Sequence, residues 1–162
     1  MRVAAQIEVS APAELVWAQV SDPSRYLDFM AGVTRWEVEG DVRIGLGARY
    51  RMLMRVASAE IGGLIEVIEF TPGCDLAWTS IMGVDQRGRW RLRPADDGRT
   101  RVELRLQYGV AGAGISGWLA ERIASPIVTG NLRRTLQQLK RQVEHEHLRA
   151  EAAARRQART GA

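Results

Sequence analysis

The sequence predicts an α+β domain in which an antiparallel sheet, wet on one face, is closed by a long C-terminal helix. Three patterns predict it. Apolar and polar residues alternate with a period of two along most of the first 108 positions. The alternation confines charge to one face of each strand, as in an antiparallel sheet with one solvated side and unlike the continuously apolar strands of a buried parallel sheet. Beyond about Gly114 the apolar spacing changes to three and four, the period of a helix.

Val3, Ala5, Ile7 and Val9 alternate with Arg2, Ala4, Gln6 and Glu8, a first strand. Ser10 is a candidate N-cap and Pro12 suits a first turn, so a short helix through Leu15, Val16, Trp17 and Val20 follows, ending at Asp22-Pro23. A second short helix is expected from Ser24 to Met30. Thr34, Trp36 and Val38 begin the next strand, and after the Gly45-Leu46-Gly47 connection Ala48, Tyr50, Met52, Met54 and Val56 form another. Strands at about 64–70 and 76–82 flank Thr71-Pro72-Gly73, and their facing is left open by the pattern. Trp90 and Leu92, then Val102, Leu104, Leu106 and Tyr108, alternate with arginines on either side of Asp97-Gly98, a hairpin signal. Ile115, Trp118, Leu119, Ile123, Ile127, Leu132, Leu136, Leu139 and Val143 then make one apolar stripe. Pro126 predicts a kink or restart in it, with Ser125 as cap. Residues 1–148 are expected to form one domain, and 149–162 a basic, frayed tail.

A chain of 162 residues can bury about 68–70% of its unfolded surface, so it needs no disulfide staples. Cys74 is the only cysteine, which rules out an intrachain disulfide. Met1-Arg2 leads straight into strand alternation, and no apolar run reaches the roughly 18 residues of a membrane span, so a soluble cytoplasmic protein is expected. The net charge is +4, and of 23 basic residues only Lys140 is not arginine, a bias that GC-rich codons produce.

The catalytic motifs on offer fail on context. Gly112-Ala113-Gly114-Ile115-Ser116-Gly117 matches G-x-G-x-x-G, but the strand before it is half charged, no parallel strand follows, and Leu132 stands where a ribose-binding acid is required. No cofactor is expected. His145 and His147 are two apart on a helix and point in different directions, so they do not make a metal site. Cys74 has no histidine near it in sequence, and no G-x-S-x-G, H-E-x-x-H or phosphate loop occurs. Arg89, Arg91, Arg93, Arg101 and Arg105 share an outer face that could meet an acidic carrier protein or a membrane surface. Nucleic acid is not the expected partner, because every aromatic on those strands has the opposite parity.

The inner face holds the candidate site. Trp36, Tyr50, Met52, Met54, Trp90, Leu106 and Tyr108 point inward by parity, and Trp78 and Trp118 can join them. Methionine makes an adaptable lining, two buried tyrosine hydroxyls need partners, and Gly130, on a row with Ile123 and Ile127, leaves space on the helix. A ligand-sized cavity is therefore expected, with Tyr50 or Tyr108 as its polar anchor.

In Ser10-Ala11-Pro12-Ala13-Glu14-Leu15-Val16-Trp17, Asp22-Pro23, Tyr26-Leu27-Asp28-Phe29-Met30, Ile44-Gly45-Leu46-Gly47-Ala48-Arg49-Tyr50, Leu76-Ala77-Trp78 and Gly98-Arg99-Thr100-Arg101-Val102, closing with Leu132, Leu136, Leu139 and Glu144, the chain resembles the helix-grip superfamily of START and birch-pollen-allergen-like domains (SRPBCC). Within it the chain looks most like the bacterial branch of polyketide cyclase/dehydratase and lipid-transport proteins. The resemblance implies a seven-stranded antiparallel sheet gripping the last helix, two short helices between strands 1 and 2, and a hydrophobic cavity between sheet and helix. It carries no catalytic residue over. The expected function is a carrier or sensor for a lipid, isoprenoid or polyketide. The alternatives are a cyclase or dehydratase acting on a carrier-bound polyketide, and an interaction module that docks an acidic partner through the arginine face. The oligomeric state is left open.

Overall fold

The computed structural model describes residues 1–109 and 114–160, side chains excepted for 114–124. β1 (Arg2–Val9) is followed by α1 (Ala13–Val20), a 3-10 turn (Pro23–Arg25) and α2 (Tyr26–Phe29). Then come β2 (Val33–Glu39), β3 (Arg49–Val56), β4 (Ala59–Thr71), β5 (Asp75–Gly83), β6 (Asp85–Pro94), β7 (Thr100–Gly109) and α3 (Gly114–Thr160). The seven strands form one antiparallel sheet in the order β1-β7-β6-β5-β4-β3-β2. Every neighbour except β1 is therefore also the neighbour in sequence, and β1 joins the far edge by pairing with β7, Val3 opposite Leu106 and Ile7 opposite Val102.

Period-two alternation becomes the two faces of this sheet. On β3, Tyr50, Met52, Met54 and Val56 are buried while Arg49 and Arg55 are exposed, and on β7 Val102, Leu104, Leu106 and Tyr108 are buried between exposed Arg101, Arg105 and Gln107. α3 lays Val128, Leu132, Leu136, Leu139 and Val143 across the inner face. Polar bonds tie its C-terminal half down. The Lys140 ammonium donates to the Glu8 carbonyl oxygen (2.7 Å), the Ser10 amide donates to Glu144 Oε1 (2.7 Å), and the Ala31 amide donates to Thr135 Oγ1 (2.9 Å). Burial pushes the Glu144 carboxyl up, but Lys140 and the Ser10 amide more than offset this and hold it below the usual carboxylate range.

Several local expectations are corrected. Ser10 does not cap α1. Pro12 occupies the N-cap position without a side-chain cap, and Ser10 is engaged through its backbone by Glu144 instead. Asp22 caps the following 3-10 turn, accepting from the Ser24 amide (2.9 Å). Pro126 lies inside α3 and does not divide it, and the segment expected to fray continues as helix to Thr160. The Asp97-Gly98 turn is as anticipated, with Asp97 at φ 58° as the left-handed residue that the chain reversal requires.

Glycines set the curvature of the sheet. A Cβ at Gly62 would overlap the Met52 carbonyl oxygen, one at Gly63 the Met82 carbonyl oxygen, and one at Gly83 the Gly62 carbonyl oxygen. Beside this pinch the register of β4 against β5 slips between Leu64 and Ile65, a bulge that bends the strands around α3.

Candidate functional site

Where β3, β5, β6 and β7 face α3, the interior is not completely filled. One void of about 20 Å³ is bordered by Met30, Trp36, Met52, Trp78, Gln86, Leu106 and Thr135. A second of about 40 Å³ lies beyond it, bordered by Met52, Met54, Ile61, Gln86, Leu106, Tyr108 and Val128. They share Met52, Met54, Gln86 and Leu106 as common wall. A space of this size holds one water molecule to a few. No charged side chain among the described residues lines either void.

Trp36, Tyr50, Met52, Met54, Trp78, Leu106 and Tyr108 are all buried on the inner face, at most 8% exposed. All but Tyr50 border one of the two voids. Tyr50 instead packs beside Trp36, ring centroids 5.4 Å apart, and donates its hydroxyl to the Arg43 carbonyl oxygen (2.9 Å), so its proton is already spent on the β2–β3 loop. Burial, with the Asp22 charge adding to it, pushes the Tyr50 phenol up to about 12. Tyr26 likewise donates to the Val20 carbonyl oxygen, and its pKa is raised by burial. Tyr108 reaches Met1 Sδ at 3.5 Å.

Besides Tyr50, three expected lining positions stand elsewhere. Trp90 is fully buried, set edge-on to Phe29 at 6.2 Å in the solid part of the core, and borders neither void. Gly130 is two residues, about 200°, from Val128, which places it away from the buried stripe, and a Cβ there would meet nothing within 4 Å. Ile127 packs on the margin of the core without lining a void. The side chains of Trp118 and Ile123, and the Gly112–Gly117 motif before its helical portion, lie outside the described residues.

Two features were missed in the sequence. Gln86 shares the parity of Trp90 and Leu92, so its inward facing is legible in the sequence, but a polar residue at that parity carries no apolar signal. It is 7% exposed, and its amide nitrogen lies 3.2 Å from Met52 Sδ. Gly88 stands opposite Trp78 across β5 and β6, and a Cβ on it would run into the indole ring. Glycine at 88 is thus what lets Trp78 lie flat on the neighbouring strand.

The outer face does not behave as a free cationic comb. Arg89 pairs with Glu69, Arg91 and Arg93 with Asp75 (3.1 and 2.8 Å), Arg101 with Glu8 (3.1 Å) and Arg105 with Glu103 (2.7 Å). Burial raises the Asp75 pKa, but the Arg93 and Arg91 guanidiniums outweigh it, and the net shift is downward. A larger depression of about 530 Å³ on this face is lined by Arg2, Ile68, Arg87, Arg89, Arg105 and Gln107 among others.

Residues 1–144 match the family described as polyketide cyclase / dehydrase and lipid transport. The chain belongs to that family. A protein of Thermus thermophilus, TTHA0849, has the same fold, with a TM-score of 0.76, 23% identity and coverage of 88% of this chain and 97% of that one. The Zhui aromatase/cyclase of a Streptomyces species superposes with a TM-score of 0.76 at 22% identity, over 89% of this chain and 93% of its own. A START superfamily protein of Mycobacterium smegmatis gives 0.68 at 16% identity, over 88% and 98%. These likenesses establish the START/SRPBCC fold. In sequence, an uncharacterized protein of Mycobacterium tuberculosis is 26% identical over 113 residues, and the match covers 69% of this chain and half the length of that relative. No helix among the described residues is long and apolar enough to cross a membrane.

Proposed function

We propose that this protein binds a small hydrophobic molecule (a lipid, isoprenoid or polyketide) between sheet and α3, as a carrier or sensor in the cytoplasm. The observation that carries the reading is the pair of adjoining uncharged voids with Met52, Met54, Gln86 and Leu106 as their shared wall. Unbranched methionine side chains repack readily, so a ligand-sized volume opens by moving Met52 and Met54 without taking apart the sheet. The acid–base steps of a cyclase call for a titratable group facing the ligand. Among the described lining residues only Tyr108 ionises, so the carrier reading is favoured over the cyclase reading. Pairing of the outer arginines leaves the acidic-partner reading with less free charge than the sequence alone implied.

Native mass spectrometry of freshly purified protein tests the proposal and is expected to show a bound apolar molecule in one-to-one ratio. Leu106→Phe, which fills the wall common to both voids, should abolish that adduct while unfolding stays cooperative, at a cost within about 1–3 kcal/mol. An adduct retained at full occupancy in Leu106→Phe would remove the site from this position. Turnover of a carrier-bound polyketide that Tyr108→Phe abolishes would favour the cyclase instead.

A further inference from the structure

Buried hydrogen-bond donors without partners are costly, and native folds leave few of them. Among the described residues the indole nitrogens of Trp36, Trp78 and Trp90 are buried without a hydrogen-bond partner; Trp90 stands in the filled part of the core, whereas Trp36 and Trp78, 8% and 4% exposed, border a void. Met52 and Gln86 line the same void. The third donor at this wall, the Gln86 amide nitrogen, is engaged among the described residues only by the Met52 sulfur at 3.2 Å, a weaker acceptor than a carbonyl oxygen. The rings are also fixed in place. Trp36 is held between Tyr26 and Tyr50, with centroids at 4.3 and 5.4 Å, and Trp78 lies over Gly88.

Two fixed indoles with unpartnered N–H groups and one exchangeable amide, all on side chains that border a single void, offer donors to an acceptor atom. Charge decides what kind. No Arg, Lys or His among the described residues lines the void to neutralise a carboxylate, and no Asp or Glu lines it to take an ammonium, so an ion entering it would bear its desolvation cost unpaired. We infer that the occupant is a neutral molecule with a carbonyl oxygen (a ketone, ester or amide) that accepts, through its two lone pairs, from donors of the set Trp36 Nε1, Trp78 Nε1 and the Gln86 side-chain amide. This deepens the binding reading above and rests on it. It makes Trp36, Trp78 and Gln86 specificity-determining residues, and it separates carbonyl-bearing cargo from hydrocarbons and from ionised fatty acids.

Three probes matched in shape test the inference on the full-length protein. 2-Acetylnaphthalene carries the carbonyl, 2-isopropenylnaphthalene replaces its oxygen with a methylene, and 2-naphthoate replaces the acetyl group with a carboxylate. The ketone is expected to bind at least about tenfold more tightly than the alkene, in line with one net hydrogen bond, and more tightly than the carboxylate. In proton–nitrogen correlation spectra, the indole resonances that vanish in Trp36→Phe and in Trp78→Phe should move downfield with the ketone and not with the alkene. In those two variants, and in Gln86→Leu, the ketone-to-alkene ratio should fall toward one. Should a variant not fold, the wild-type ratio and the indole shifts still decide. Equal affinity for ketone and alkene would overturn the donor assignment while leaving hydrophobic binding intact, and preference for naphthoate would overturn the charge argument. If none of the probes bound and no apolar adduct co-purified, the binding reading itself would fall, and this inference with it.

Discussion

The two ends of the interior are built from the same strands by the same alternation, yet they pack differently. At the end covered by α1 and α2, Val9, Val16, Val20, Phe29, Trp90, Leu92, Val102, Leu139 and Val143 are at most 1% exposed, and α3 is fastened there through Lys140 and Glu144. Toward the middle and the other end, Met52, Met54, Leu106, Tyr108 and Val128 are 3–8% exposed and surround two voids. Alternation decides which face a residue takes, and the shape of the side chain decides whether the space on that face is filled. Branched and aromatic residues close one end, and unbranched methionines with a glutamine leave the other adjustable.

The comparison is most severely tested by Trp90→Ala. If the α1 end is solid core, this change should cost about 3–5 kcal/mol in urea unfolding, far more than Leu106→Phe at the voids. Next comes Gly88→Ala. The added methyl meets the Trp78 ring, so a loss of about 1–3 kcal/mol and a shifted Trp78 indole resonance are expected, whereas an unperturbed resonance would show that the ring is not pinned. A smaller effect belongs to Asp75 on the outer face. Its folded pKa lies below the ordinary 3.8, so its contribution is present above that value and lost as pH falls through the lowered folded value. Asp75→Asn should therefore cost about 1 kcal/mol at neutral pH, since both arginine partners keep solvent contact, and should flatten the acid limb of a stability–pH curve. The smallest expected effect is at Gly130. Gly130→Ala should stabilise α3 by about 0.5–1 kcal/mol and leave ligand binding unchanged, because the added methyl meets nothing.

The succession of strands along the chain, the inward set on β3 and β7, the stripe on α3 and the Asp97-Gly98 turn can all be read from the sequence, because each is written in local spacing, whereas the pairing of β1 with β7 is not. Reading beyond spacing was less secure. A buried hydroxyl needs a partner, which makes Tyr50 or Tyr108 an expected anchor, but the partner of Tyr50 is the Arg43 carbonyl on a loop whose path no periodicity specifies. Gly130 was placed by its row with Ile127, although the centre of the stripe runs through Val128, Leu132 and Leu139, on the other side of the helix. Trp90 has the right parity but stands at the filled end, and distance along the inner face is not a property of parity. The arginine comb was correctly placed outside, while its partners Glu69 and Asp75 come from neighbouring strands whose register the sequence alone leaves free.

The pinch at Gly62, Gly63 and Gly83 divides the molecule into what substitution can and cannot change. Any side chain at these positions must drive strand backbones apart, whereas Met52 and Met54, on the strand alongside, can trade for other apolar residues at the cost of repacking. On the proposed binding reading, cargo preference is open to single changes in the wall, while the curl of the sheet is held by backbone contacts that no single side chain can replace. A library of all point variants would show three intolerant columns beside two permissive ones, and new specificity in this chain would arise through the permissive pair.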